Sequence, residues 1–499
     1  MEAIKPARIT RMNLHSLKIL VLILSTSICF GQKINAKNAS KQLKEYLPQL
    51  KSSDFHGTIL VGFHGKKIIS KGYGFRDIPN QLKNTATTVY DIGSLTKQFT
   101  AAAILILEEQ GKLSVQDSLS KFFPNLPEDK RSITLHDLLR HQSGLKSTLG
   151  GDYEKISEED FLSKVFASEL QFPVGTSFGY SNIGYSVLAL LIEKVSQQSY
   201  ESFLYDHLWK PAKMRRTGYA RPHFPQKRIA IGYNSDNSRW GRPTEKPWDG
   251  TSPYWHLKGN GGLLSTPNDL FKWDKALSSK RILNPTSLHQ LVSPPLRDHE
   301  SVDSYYAYGW DVSKTTRHTT QIWHNGTNRI FYADFLRFPD EHVTLILLSN
   351  RSQAHVSDLN FELANLIFIP NYLPENLVAD NPVNRAFTDR MISTLQTLGL
   401  EKAKEAFEKR EKNEFLLEFF IREEGFRYID QGKPELATSI LEWNALVFPT
   451  SAKALLGLGE CYLETGKKEL ALKTLQASLR LNPENKFVRR TIQQLETMD

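Results

Sequence analysis

Apolar and polar positions change their period several times along this chain. Residues 55–63 (Phe-His-Gly-Thr-Ile-Leu-Val-Gly-Phe) and 67–74 (Lys-Ile-Ile-Ser-Lys-Gly-Tyr-Gly) flank His64-Gly65-Lys66, which predicts a β-hairpin. Residues 99–107 are apolar on nearly every face and lie between Gly93 and Gly111. That pattern predicts a helix starting near Ser94 and buried all round. From 115 to 220 the text reads as mainly helical, with turns at Pro124, Pro127, Gly144, Gly150 and Gly151. Within it, Thr134 is placed to cap a helix with an acidic first turn. Residues 221–262 are rich in Pro, Gly, Asn and aromatics, a loop-like composition suited to lining a pocket. Thr266, Pro267 and Asp269 then open another helix, through Trp273. Strand patterns return at about 307–312, 321–324, 330–338 and 343–349, the last two joined by Pro339-Asp340-Glu341. Strands at both ends and helices between predict one antiparallel sheet with helices packed on it, an α+β unit over 40–368.

Beyond a Pro-containing linker at 369–385 the pattern repeats. Gly425, Tyr428, Gly432, Ala437, Leu441 and Pro449 recur as Gly459, Tyr462, Gly466, Ala471, Leu475 and Pro483, each displaced by 34. One displacement shared by large and small residues predicts tetratricopeptide-like helix pairs over 386–499. Two repeats rarely stand alone. Residues 386–418 are therefore assigned to a degenerate earlier pair, and 486–498 to a capping helix.

Composition adds a compartment. The formal charge of +9 includes Lys5, Arg8, Arg11 and Lys18 against Glu2, and the remaining excess carries no block of basic residues interleaved with aromatics. That balance suits solubility and argues against nucleic-acid binding. The basic N-terminal residues precede Ile19-Leu-Val-Leu-Ile-Leu24 and a small-residue stretch reaching Gly31. This reads as an export signal over 1–31, with its apolar run too short to span a bilayer. Cleavage near Gly31 removes Cys29 and leaves Cys461 alone, so no internal disulfide forms. A periplasmic or cell-surface location in a bacterium, with no transmembrane anchor after cleavage, is the expectation.

Candidate chemistry starts at Ser94-Leu-Thr-Lys97. Residues three apart share a helix face, which brings the Lys97 ammonium over the Ser94 hydroxyl. Burial lowers a lysine pKa, and a lysine near neutrality can take a serine proton. A helix N-terminus supplies N–H groups for a developing oxyanion. Ser94 acting only as a helix cap would explain the serine but not the lysine. Ser-x-x-Lys also occurs at Ser118/Lys121 and Ser143/Lys146, in segments that read as loop and turn. Tyr180 and Asn182, two apart before an apolar helix, can present a phenol and an amide to one pocket, or serve as a buried tyrosine and a cap. His324-Asn325-Gly326 marks a strand that a substrate could approach closely at the glycine, or an ordinary turn. His136 and His141 are five apart and share no face, which favours structural roles over metal binding. Gly259-Asn-Gly-Gly262 lacks the Gly-Lys-Ser/Thr ending of a phosphate loop.

Ser94-x-x-Lys97, Tyr180-Ser-Asn182 and His324-x-Gly326, in that order, resemble the penicillin-recognising serine hydrolases. The branch holds class C β-lactamases, D-Ala-D-Ala carboxypeptidases, D-aminopeptidases and related esterases, and the resemblance covers about residues 40–365. It implies an antiparallel sheet flanked by helices with an all-helical insertion. It also implies Ser94 as nucleophile, Lys97 and Tyr180 sharing the base work, and Asn182 orienting the substrate amide. The oxyanion would meet the backbone N–H groups of Ser94 and Thr327, and His324 would bond the Tyr180 phenol or a substrate carboxylate. Neither metal nor cofactor is implied. Class C β-lactamases usually carry Lys where this chain has His324 and a small apolar residue at Ser181. Those departures point to a peptide, amide or ester acyl substrate rather than efficient β-lactam hydrolysis. The rival expectation is a catalytically silent hydrolase fold whose repeats bind a peptide or protein.

Overall fold

The computed structural model describes residues 36–51, 55–248, 252–279, 281–293, 304–315, 317–351, 356–369, 382–411, 414, 416–449, 451–481 and 485–497. The expected export signal lies outside them. Seven strands build the main sheet: β1 (Gly57–Phe63), β2 (Lys66–Tyr73), β3 (Ser304–Tyr306), β4 (Asp311–Lys314), β5 (Thr320–Thr327), β6 (Tyr332–Phe338) and β7 (Val343–Ser349). Their order is β2-β1-β7-β6-β5-β4-β3, every neighbour antiparallel. The first two strands come from the start of the unit and the other five from its end, where the hydrophobic pattern predicts four; in place of one strand at 307–312 the chain forms β3 and β4 with a turn between them.

The continuous apolar text of β1 and β7 follows from burial of both sheet faces. Side chains alternate across a strand. Ile59, Val61, Leu345 and Leu347 face one layer, containing α1 (Ala36–Tyr46) and, at the other end of the unit, α5 (Val356–Phe368). Leu60, Ile346 and Leu348 face the larger core, which holds α2 (Thr96–Glu109), α3 (Asn182–Ser196) and α4 (Pro267–Ser278). Helix α2 is buried at every residue from Thr96 to Leu107, and each large apolar side chain there contributes about 1.5–3 kcal/mol by leaving water. A charged substitution at Ile104, fully buried in this layer, would have no partner to offset its desolvation. Helix α4 starts as its sequence signals, with the Thr266 hydroxyl accepting the Asp269 N–H and Pro267 in the first turn.

The segment between β2 and β3 is not all-helical. Four α-helices occur in 115–220 (Leu135–Leu139, Glu158–Ala167, Asn182–Ser196 and Tyr200–Leu204), of which only the third is long, and two-stranded ribbons pair Tyr90–Asp91 with Leu264–Ser265 and Gly232–Tyr233 with Arg239–Gly241. The excess helix expected there came from apolar residues such as Leu145 and Ile156, which anchor loops in the core without helical backbone.

After residue 381 the chain is helical: α6 (Pro382–Leu398), α7 (Leu400–Glu408), α8 (Glu418–Asp430), α9 (Pro434–Val447), α10 (Ala452–Glu464), α11 (Lys468–Leu481) and α12 (Lys486–Thr497). Helix α6 thus begins inside the segment expected as linker, because Pro382 is tolerated in a first helical turn. The repeat is visible in packing. A Cβ added to Gly425 would come within 2.5 Å of Leu441, and one added to Gly459 within 2.6 Å of Leu475, 34 residues on in both members. Each glycine lets α8 close on α9, and α10 on α11. Pro483 lies outside the described residues.

Candidate active site

Two glycines bring the ends of the sheet-forming sequence together. Gly93 has φ +48°, and a Cβ there would come 2.6 Å from the Thr327 nitrogen. A Cβ on Gly326 would sit 2.2 Å from the Ile92 carbonyl oxygen and 2.6 Å from the Ser94 nitrogen. Only a pair of glycines lets β5 lie directly against the Ser94 turn. Asp91 fixes that turn from below: one carboxylate oxygen accepts the Gly93 N–H at 2.7 Å and the other accepts Asn328 Nδ2 at 2.9 Å. Burial raises the Asp91 pKa to about 7, opposed by the Gly93 bond.

Ser94 occupies a 3-10 turn (Gly93–Leu95), and α2 begins two residues later. The helix cap is Leu95, with no side-chain bond, so Ser94 is not a cap. Lys97 is fully buried, with Nζ 3.1 Å from Ser94 Oγ, 2.7 Å from Asn182 Oδ1 and 2.9 Å from the Asn260 carbonyl oxygen. Nζ also lies 4.7 Å from the centroid of the Tyr180 ring. Among the described residues no carboxylate is within ion-pair distance of it. Burial therefore holds the Lys97 pKa well below the usual lysine value, and the field of Asp152 only partly opposes this.

Tyr180 and Asn182 are held by neighbours that the motif does not include. Ser181, not Asn182, caps α3: its hydroxyl accepts the Gly184 N–H at 3.1 Å and donates to the Lys146 carbonyl at 2.8 Å. His141, with φ +60°, accepts the Ser181 N–H on Nδ1 at 3.0 Å and lies 4.3 Å from the Tyr180 ring centroid. It is a positioning residue, kept neutral by burial and the nearby Lys97. Burial pushes the Tyr180 phenol well above the ordinary tyrosine range, and the Ser94 hydroxyl pulls it back.

The structure pairs His324 differently from the expectation. Its Nε2 bonds the Tyr306 hydroxyl at 3.0 Å rather than the Tyr180 phenol, and its Nδ1 bonds the Asn325 carbonyl. His324 is 3% exposed, and burial followed by the Lys97 charge lowers its pKa to about 3. Gly326 shares its strand face but is covered by the Ser94 turn, whereas Thr327 is exposed and lines the cleft. The other two Ser-x-x-Lys pairs do not assemble. Ser118 bonds Ser120, and Lys121 pairs with Asp117. Ser143 Oγ accepts the Leu145 N–H.

This geometry joins a match over most of the α+β unit: residues 43–366 match the sequence profile of the Beta-lactamase family. The chain belongs to that family. Protein flp of Staphylococcus aureus (strain MW2) is 30% identical over 320 residues, 60% of this chain and 61% of that protein. The chain thus spans less than two thirds of that relative's length. The putative penicillin-binding protein PbpX of Bacillus subtilis (strain 168) is 29% identical over 278 residues, 56% of this chain and 68% of that one. The solved octameric penicillin-binding protein homologue from Pyrococcus abyssi shares the fold, with TM-score 0.56 and 24% identity over 72% of this chain and 82% of that one.

The chain carries further residues in its cleft that the motifs do not reveal. Asp152, Tyr153, Leu257, Asn260 and Asn328 line it beside Ser94, Asn182 and Thr327. Asn260 is the clearest case. Its side chain donates to Ser186 Oγ and the His256 carbonyl, both at 2.8 Å, which aims its own carbonyl at Lys97. The Gly259–Gly262 stretch therefore forms a wall of this site rather than a phosphate loop. Its isolation between loop-like text and the α4 cap was the available signal.

Proposed function

We propose that this protein is a serine hydrolase that forms an acyl-enzyme on Ser94 from an amide, peptide or ester substrate. The observation that carries the reading is the coordination of Lys97 Nζ. A neutral amine has two N–H groups and one lone pair. Asn182 Oδ1 and the Asn260 carbonyl accept only, so they take the two N–H groups and leave the lone pair toward Ser94 Oγ, 3.1 Å away. Ser94 O–H then donates to Lys97. Attack by Ser94 Oγ on the substrate carbonyl carbon passes that proton to Nζ. The C–O bond to Ser94 forms, and collapse of the adduct breaks the bond to the leaving group, which takes a proton through Lys97 and Tyr180. Water repeats the sequence to release the acid. The backbone N–H groups of Ser94 and Thr327, brought together by Gly93 and Gly326, are suited to hold the oxyanion; one such donor is typically worth about 100- to 1000-fold in rate.

The assembled Ser94–Lys97–Asn182 cluster favours this reading over a catalytically silent fold. Packing at the 34-residue period supports tetratricopeptide-like repeats after residue 381, read as a surface for a peptide or protein partner. The basic and apolar N-terminal text supports export to the periplasm or cell surface. The test uses a fluorophosphonate, which loses fluoride as its phosphorus bonds Ser94 Oγ, read by intact mass. One adduct on the parent and none on Ser94→Ala is expected. Absence of an adduct on folded protein overturns the mechanism.

A further inference from the structure

We propose that Asp152 makes this cleft selective for acyl donors carrying a cationic group, such as a free ammonium, close to the scissile carbonyl. The inference rests on the Ser94 hydrolase reading and names a substrate class for it. Side chains lining the cleft include two carboxylates, Asp91 and Asp152, and Lys97 reaches it through Ser94 and Asn182. The Asp91 oxygens are occupied by Gly93 N–H and Asn328. Asp152 is half-buried, faces the same space as Ser94, and forms no hydrogen bond or ion pair among the described residues.

The cations around Asp152 do not cancel it. Lys97 is turned to Ser94, Asn182 and Asn260, and burial weakens its charge. His256 is buried, with its pKa lowered by that burial. Arg329 is exposed on the loop after β5 and acts on Asp152 only through its field. A carboxylate partly removed from water without a bonded counter-charge is costly, and a substrate ammonium that bonds it offsets the cost. A substrate carboxylate meets the opposite situation. The strand residue expected to receive it, His324, is buried, neutral and bonded to Tyr306.

The test measures kcat/KM for alanine p-nitroanilides, in D and L forms, with the amine free, N-acetylated or N-succinylated. The parent should prefer the free amine to the acetyl form and the acetyl to the succinyl. Asp152→Asn should lose about 10- to 100-fold on the free amine, the worth of one bond to a charged group, and stay within a few-fold on the acetyl form. Asp152→Lys should reverse the order. Fluorophosphonate labelling, which carries no charge to recognise, is run on every preparation. A parent that labels but shows no preference, or prefers the succinyl form, overturns the proposal while leaving the hydrolase reading intact. The same holds if Asp152→Asn slows labelling as much as it slows free-amine hydrolysis, which would make Asp152 a tuner of Lys97. A folded parent that does not label fails the hydrolase reading itself.

Discussion

Gly326→Ala separates the chemistry of the site from its stability. The added methyl would lie 2.2 Å from the Ile92 carbonyl oxygen and 2.6 Å from the Ser94 nitrogen, both backbone atoms. An ordinary carbon contact needs about 3.5 Å, so β5 and the Ser94 turn must part by roughly 1 Å. Neither segment yields easily, because Asp91 ties the turn while β4 and β6 flank the strand. Overpacking of this kind costs about 1–3 kcal/mol of stability, a drop of several degrees in Tm. Its effect on rate is larger. A displacement of about 1 Å at reacting groups costs on the order of 100-fold. Pulling the Thr327 N–H away from that of Ser94 forfeits up to about 1000-fold, the range for one oxyanion donor. The assay pairs a thermal melt with the second-order rate of fluorophosphonate labelling. Gly151→Ala serves as control, since a Cβ there meets nothing within 4 Å. The expected result is a protein that melts cooperatively but labels about 100- to 1000-fold more slowly than the parent. Labelling within a few-fold of the parent would refute the close approach of β5 to Ser94.

Lys97→Arg puts a permanent cation where a neutral base stood, so labelling should fall by about 100- to 10,000-fold, whereas the parent rate should rise with pH through a Lys97 pKa that burial holds well below the usual lysine value. A pH profile that rises only above the normal lysine range would contradict a neutral amine at rest. Asp334, fully buried beside Asn360, has its pKa raised well above the carboxylate value by burial. The folded chain therefore binds a proton that the unfolded chain releases, and stability falls as pH rises above about 4, by about 1.4 kcal/mol per unit until the folded pKa is reached. Asp334→Asn should remove that slope, and parallel urea titrations at pH 4 and 7 check it: an equal gap between parent and variant at both pH values counts against a protonated Asp334. Gly459→Ala forces a methyl against the Leu475 side chain, which should destabilise the helical repeats by about 1–3 kcal/mol and leave Ser94 labelling unchanged. Slower labelling in that variant would show that the repeats brace the hydrolase unit.

What could be read from the sequence was local or periodic. Ser94 and Lys97 meet because three residues along a helical stretch return to one face, and the repeats announce themselves by a constant displacement. The sheet was legible because both faces of β1 and β7 are covered, which leaves unbroken apolar runs. Contacts between distant segments were not legible. His324 takes Tyr306 across the β3–β5 hairpins, and nothing in His-Asn-Gly names that partner. Asn260 and Asp152 sit on loops whose course is set by the core beneath them. Even Gly93 reads alone as the end of a loop, and Gly326 as a strand position open to substrate or an ordinary turn; their joint meaning appears only when one is found against the other.

Because the main sheet is closed by strands from opposite ends of the unit, the Ser94 turn and the strand that completes its site meet only through long-range pairing. Closing so long a loop is entropically expensive, and such pairings form slowly. A nascent chain that ends before β5 already carries Ser94 and Lys97 in adjoining turns, but has no Thr327 N–H beside them. On the proposed mechanism, the order of the strands therefore leaves Ser94 without its second oxyanion donor in any copy that lacks β5.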